Sequence, residues 1–370
     1  LERQIKIALL TAGRSDYSIY LPLIKKLVNE KRFNLNIIAF GSHPYKKFGK
    51  TIKFIERDGF KIKHTVKALE SNFTPEFISK SIGNTIKKFA DIYKKEKFDL
   101  IFALGDRFEM FAAVSASVPF NIPIAHLHGG ETTLGAVDEK FRHSISIMSK
   151  YHFTSTKKHA EKVAKIIGSN KYVYNVGALA IDNIKNLKLL TIEELREQLN
   201  IDFSKPTLLA TIHPETVNTK INSVLVNEFI KAIEKSGYQT LITLPNNDTE
   251  NQIIREKLVK KFSSNKDIFM FEALGPLKYY SCMKYCYAVI GNSSSGIVEA
   301  ASFGKYVINI GDRQKGRERD KNVIDVQINA EEILKKIKQL KEKPTLSNRN
   351  IYGDGKTAER IITILKRELF

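Results

Sequence analysis

Short apolar runs alternate with amphipathic stretches along the whole chain. In the first half, residues 5–10, 35–40, 100–104, 122–127, 151–155 and 172–176 read as strands. In the second half, 207–212, 240–244, 268–271, 287–290 and 306–310 repeat the pattern. Most are followed by a segment of helical period, such as 20–29 or 108–117. Strands without polar alternation are expected where helices cover both faces of a parallel sheet. Two such series in succession predict an α/β chain of two doubly wound, Rossmann-like domains. Their boundary falls between Gly177 and Pro206, a stretch holding the charged helix 191–200 and the loop 202–206. Near the end, Tyr352-Gly353-Asp354-Gly355 forms a turn before a last amphipathic helix, 357–369.

Bulk properties agree with this picture. A chain of 370 residues exceeds one ordinary core, and its 42% hydrophobic and 27% charged residues are those of a folded protein. No apolar run reaches the length of a bilayer span, and no leader-like segment precedes the opening strand, so the cytosol is the expected address. Cys282 and Cys286 lie four apart in one segment, which fits buried thiols better than a disulfide framework or a zinc site. A net charge of +20 raises the question of nucleic acid. The lysines, however, are spread over most helices (Lys25, Lys87, Lys335) without a stacking module or zinc-finger spacing. A general pull on anionic substrates is what remains, with no nucleic acid or membrane partner expected.

Candidate chemistry collects at strand ends, where ligands of open parallel sheets bind. Gly291-Asn292-Ser293-Ser294-Ser295-Gly296 follows the run 287–290 and opens a helix. Free backbone N–H groups there suit a phosphate, although no Gly-Lys-Ser/Thr follows and an ordinary N-cap fits as well. Glu299 is placed to accept two ribose hydroxyls. Thr11–Ser18 contains Arg14, a candidate diphosphate clamp. Asp106 and Arg107 follow the strand 100–104; side by side, they also fit a plain mutual ion pair. His126-Leu127-His128-Gly129-Gly130-Glu131 is the richest segment. Two histidines on one strand face invite a metal, but further ligands would have to come from the fold, and none is expected. Asp138–Arg142 and Glu139–His143 have the i,i+4 spacing of an ion-pair ladder on a helix. His213, Asn246 and Arg313 end or follow strands of the second half.

Taken in order, these segments resemble the hydrolysing UDP-N-acetylglucosamine 2-epimerases of bacterial sialic-acid synthesis and the epimerase half of the animal bifunctional enzyme. The resemblance runs through Gly13–Ser18, Gly41-Ser42-His43, Gly105–Phe108, His126–His143, His213–Thr216, Gly291–Glu299, Gly311–Arg317 and Ile351–Gly355. It implies two Rossmann-like domains with an interdomain cleft, as in glycosyltransferases of the B type. The expected limits are 1–180 for the domain with the carboxylates and 181–350 for the nucleotide domain. Residues 351–370 would cross back to the first domain.

Carried over, the family pattern makes Arg14, Ser18, Arg107, His213, Asn246, Leu274, Ser293, Ser294, Glu299 and Arg313 nucleotide contacts. Asp106, Glu131 and Asp138 become the carboxylates of the reaction, with His128, Arg142 and His143 beside them. Many relatives carry a carboxylate where this chain has His128, whereas the sialic-acid branch reads His-x-His-Gly-Gly-Glu, as here. The implied reaction eliminates UDP from UDP-N-acetylglucosamine to 2-acetamidoglucal, then hydrates it to free N-acetylmannosamine. It needs no metal or redox cofactor. The partners implied are the UDP-sugar, UDP, and further copies of the chain in a homodimer or homotetramer. UDP-2,4-diacetamido-2,4,6-trideoxyglucose is an alternative substrate. A non-hydrolysing epimerase, a glycosyltransferase of the same fold and a binding-only protein are alternative functions.

Overall fold

The computed structural model describes residues 3–70, 74–132, 138–215, 219–245 and 251–370. The chain forms two compact units. The first runs to Glu131, resumes through Lys185, and is completed by Tyr352–Phe370; the bulk of the second is Asn186–Ile351.

In the first unit, seven strands form one sheet: β1 (Ile5–Thr11), β2 (Phe33–Ala39), β3 (Ile62–Thr65), β4 (Leu100–Leu104), β5 (Ile124–Leu127), β6 (Tyr151–Thr154) and β7 (Val173–Asn175). Their order is β3-β2-β1-β4-β5-β6-β7, with every pair parallel. Alternate residues of β4 explain its unbroken apolar run. Leu100, Phe102 and Leu104 face the cluster built on Leu23, Ile24, Ile361 and Leu365. Ile101 and Ala103 face Phe89, Tyr93, Met110 and Val114. Each of the Leu, Ile and Phe side chains contributes roughly 1.5–3 kcal/mol on burial.

The second unit holds β8 (Thr207–Thr211), β9 (Gln239–Thr243), β10 (Ile268–Phe271), β11 (Ala288–Gly291), β12 (Val307–Ile310) and β13 (Val323–Val326). They are ordered β10-β9-β8-β11-β12-β13, again all parallel. Cys282 and Cys286 are buried in one of its two cores, and burial pushes both thiols up to about 12.

The strand order reverses between β1 and β4 in one sheet and between β8 and β11 in the other. Those are the switch points beyond which ligands of doubly wound sheets bind.

The structure differs from the sequence reading at the first helix, at the serine-rich turn and at two edge strands. The first helix begins at Arg14, directly after Gly13, and continues through Pro22 to Asn29. Pro22 has no N–H for the carbonyl of Ser18, which instead accepts the side-chain amide of Asn183 at 2.7 Å. The serine-rich turn opens only a five-residue helix, Ser294–Val298, followed by a 3₁₀ turn at Ala300–Phe303. Strands β3 and β13 were not foreseen, and each lies at the edge of its sheet. The last helix, Thr357–Leu369, belongs to the first unit, where Ala358, Ile361, Ile362 and Leu365 join the core. Among the described residues, no helix is long and apolar enough to cross a membrane.

Candidate functional site

In the first unit the polar residues beyond β4 and β5 fall into two bonded groups, one joining Asp106, Arg142, Glu131 and His128 and the other Arg107 and Glu109. Asp106 and Arg107 do not pair with each other. Asp106 takes an ion pair from Arg142, whose other terminal nitrogen donates to the carbonyl of Glu131 at 2.6 Å. Arg107 is held in a fork by Glu109, with N–O distances of 3.2 and 3.0 Å. Glu109 is fully buried, so this guanidinium is fixed from below.

The ladder foreseen on the helix Asp138–Met148 is therefore corrected. Arg142, its side chain 3% exposed, reaches Asp106 in the β4 turn and not its i,i+4 neighbour. A buried guanidinium needs several acceptors; the Asp106 carboxylate and the Glu131 carbonyl take its two terminal nitrogens, while Nε has no partner among the described residues. On the other rung His143 Nε2 lies 3.6 Å from Glu139, beyond hydrogen-bond reach, and Glu139 pairs instead with Lys162 at 2.8 Å. Desolvation, then the Lys162 ammonium, lowers the pKa of His143. Desolvation and the Asp106 carboxylate push Asp138 up to about 6, against Arg107 and Arg142.

The two histidines of the rich segment part company. His126, on β5, is buried, with Nδ1 3.0 Å from the Ser146 hydroxyl and Nε2 2.8 Å from the Gly105 carbonyl. Both ring nitrogens thus tie β5 to its neighbours, and burial pushes its pKa down to about 3. His128 lies past the strand with φ +63° and turns its Nδ1 to Glu131 Oε1 at 2.7 Å. Among the described residues no three His, Cys, Asp or Glu side chains converge as metal ligands.

Two residues of this region were absent from the expected set, Glu109 and Asp16. Asp16 is buried beneath the loop after β1, its Oδ2 accepting the Ala12 N–H at 3.0 Å. Burial pushes it up to about 6, with Arg107 opposing. The Gly13–Ser18 motif was the signal that could have flagged it. Arg14 is exposed at the start of the first helix, and the Ser18 hydroxyl donates to the Arg14 carbonyl at 2.9 Å.

In the second unit Asn292 is the hub, and it too was missed. It exchanges two hydrogen bonds with the backbone of His213, at 2.7 and 2.9 Å, joining the ends of β8 and β11. Its carbonyl accepts from Arg313 at 3.1 Å and Gln314 at 2.9 Å. Gly291 makes this approach possible: at φ +132° an added Cβ would collide with the Thr211 carbonyl. Burial, then the Arg313 charge, pushes His213 down to about 3. Its imidazole is therefore a neutral donor or acceptor at pH 7, not a cation.

Ser293 caps the short helix, and its hydroxyl accepts the Ser295 N–H at 3.4 Å. Glu299 is held on both oxygens, by the Tyr280 hydroxyl at 3.0 Å and by the Ser295 hydroxyl. Leu274 occupies the N-cap position of the helix Gly275–Tyr285. Asn246 lies outside the described residues.

Comparison with known proteins gives this arrangement a context. The chain is 34% identical to the UDP-N,N'-diacetylbacillosamine 2-epimerase (hydrolyzing) of Legionella pneumophila, over 98% of its own length and 95% of the relative's. It is 37% identical to the GDP/UDP-N,N'-diacetylbacillosamine 2-epimerase (hydrolyzing) of Campylobacter jejuni, over 88% and 85%. In fold it is similar to the UDP-GlcNAc 2-epimerase of Neisseria meningitidis, whose crystal structure holds UDP-GlcNAc. The TM-score is 0.84 at 20% identity, covering 98% of this chain and 100% of that one. Residues 25–366 match the model of the UDP-N-acetylglucosamine 2-epimerase family. With two Rossmann-like sheets, the strand-end motifs and these relatives, the chain belongs to the UDP-N-acetylglucosamine 2-epimerase family, enzymes of UDP-sugars.

Proposed function

We propose that this chain is a hydrolysing 2-epimerase of a UDP-linked 2-acetamido sugar. UDP leaves C1 as the C2 proton is removed, and water adds to the resulting 2-acetamidoglucal to give a free sugar inverted at C2. The observation that carries this reading is the Arg142 bridge, which ties the Asp106 carboxylate to the loop bearing His128 and Glu131. Proton removal and return at one carbon needs acid–base groups held in fixed relation. In this reading Asp106, Glu131, Asp138 and His128 are those groups, with Arg142 and His143 supporting them.

The nucleotide falls to Arg14, Ser18, Arg107, His213, Asn246, Leu274, Ser293, Ser294, Glu299 and Arg313. Arg313 and the serine turn meet the negative charge that grows on the leaving diphosphate. His213 adds a neutral N–H. No metal or redox cofactor enters the step. A cytosolic homo-oligomer is the form in which we propose it works.

UDP-N,N'-diacetylbacillosamine is the substrate we place first, because it is named for the two relatives above. That reverses the order drawn from motifs alone. UDP-N-acetylglucosamine is the second reading, favoured by the description of the matching family. The test is UDP release from each sugar nucleotide, followed by NMR in deuterated water. Expected are free sugar, UDP and deuterium at C2, with the diacetamido sugar faster. Retention of the original C2 proton, UDP retained on the product, or dependence on an acceptor would each refute the reading. A faster UDP-N-acetylglucosamine reaction would restore the first order.

A further inference from the structure

His128 leaves β5 in the left-handed region, φ +63°, which is uncommon outside glycine and persists where surrounding contacts enforce it. Here its N–H donates to the Phe153 carbonyl at 3.1 Å. Gly130 behind it packs against the His159 carbonyl so closely that a Cβ would collide. The imidazole is thereby folded back onto Glu131, with Nδ1 2.7 Å from Oε1. The same carboxylate oxygen receives the Ser155 hydroxyl at 3.1 Å, and the Ser155 oxygen lies 2.9 Å from His159 Nδ1. Ser155 has one proton to give, so His159 Nδ1–H donates to Ser155, and Ser155 donates to Glu131. Glu131, Ser155 and His159 are all buried.

A neutral imidazole has one donor and one acceptor nitrogen. With Nδ1–H given to a carboxylate that already accepts a hydroxyl, the lone pair sits on Nε2. That nitrogen is buried and has no hydrogen-bond partner among the described residues. Such an atom is either a cost without return or one reserved for a reacting group.

We propose that His128 Nε2 removes the C2 proton and that Glu131 is its positioning residue. The proposal rests on the 2-epimerase reading above. In the step, the C2–H bond breaks and its electron pair becomes the C1=C2 double bond. The C1–O pair leaves with UDP, and the proton is bound by Nε2. The imidazolium so formed is stabilised through Nδ1–H by the Glu131 carboxylate. Its proton then passes to solvent. At hydration C2 receives a solvent-derived proton and C1 the hydroxyl of water.

Two variants test this. In His128→Asn the left-handed backbone is tolerated and the amide NH₂ can replace the Nδ1–H donor, so chiefly the Nε2 lone pair is lost. We expect kcat to fall at least about a thousandfold, with KM within about threefold. Glu131→Gln keeps an acceptor for Nδ1–H but loses the anion that stabilises the imidazolium, so kcat should fall about ten- to a hundredfold with KM within about threefold, and Glu131→Asp should recover part of it. The double variant should be no worse than His128→Asn alone. A kcat within tenfold of wild type for His128→Asn overturns the proposal. So does an unchanged kcat in Glu131→Gln, which decides the matter alone if the asparagine variant does not fold. A wild-type protein that releases UDP from neither sugar instead removes the 2-epimerase reading itself.

Discussion

The carboxylate of Asp182 accepts the backbone N–H of Thr357 at 2.9 Å and that of Ala358 at 2.7 Å, the former across 175 positions of sequence. The last helix has no side-chain cap of its own, since Lys356 stands at its N-cap position. Asp182 therefore supplies from a distance the acceptor and the negative charge that a helix start requires. Asp182→Ala should lower stability by about 1–3 kcal/mol, read as an earlier urea midpoint, and Asp182→Asn by less. An unchanged midpoint would mean that apolar packing of Ile361 and Leu365 alone docks the helix.

Arg142 offers a sharper contrast, because a surface ladder and a buried bridge predict different outcomes. Arg142→Lys keeps the charge, but a single ammonium cannot satisfy both the Asp106 carboxylate and the Glu131 carbonyl in a fork. We expect UDP release to slow at least about a hundredfold, since displacements near 1 Å suffice for that. A change below twofold would return Arg142 to the role of a surface rung.

Four histidines are buried in the neutral form. Burial pushes His43 and His152 down to about 4, and His126 and His213 down to about 3. A folded-state pKa below the unfolded value of about 6.5 means that the unfolded chain binds more protons between those values. Their contribution is present above pH 6.5 and is lost as pH falls toward 4. Asp16 and Asp138, both raised to about 6, act in the opposite sense and regain stability as pH falls from 6 toward 3.8. Each histidine adds a slope of about 1.4 kcal/mol per pH unit, and Asp16 with the more exposed Asp138 cancels roughly one to two of them. The unfolding free energy should thus drop steeply between pH 6.5 and 5, and His152→Phe should flatten the slope. A pH-independent midpoint over that range would contradict the burial of these rings.

What the sequence disclosed and what it hid follow from the same physics. Central strands such as β4 are covered on both faces, so Leu100–Leu104 reads as an unbroken apolar run. The edge strand β3 alternates, Ile62-Lys63-His64-Thr65 being half-buried and exposed in turn, and β13 is interrupted by the exposed Asp325. Four residues with polar alternation leave no signal above loop background. The candidate residues were visible because they follow strands. Their partners were not, because Arg142 and Asp106 stand 36 positions apart and a local spacing rule pointed to Asp138 instead. His128 was read as sharing a strand face with His126, and only the left-handed turn at 128 shows that it faces Glu131. Glu109 and Asn292 have buried supporting roles that no short motif encodes.

Glu299 tests whether the second unit reads the ribose. Its two oxygens are pre-oriented by Tyr280 and Ser295, and burial raises its pKa, so the carboxylate is costly to keep and needs a return. Hydrogen bonds to the two ribose hydroxyls of UDP would supply one, each worth about 1.5–3 kcal/mol when made to a charged group. Wild-type protein should then bind UDP at least about tenfold more tightly than 2'-deoxy-UDP, by calorimetry. Glu299→Ala should weaken UDP and erase most of that preference, because the missing hydroxyl no longer has a partner to lose. Binding to the variant also controls for folding, since the diphosphate contacts remain. If the preference for UDP survives in Glu299→Ala, the carboxylate serves only to brace the serine turn, and the ribose is read elsewhere.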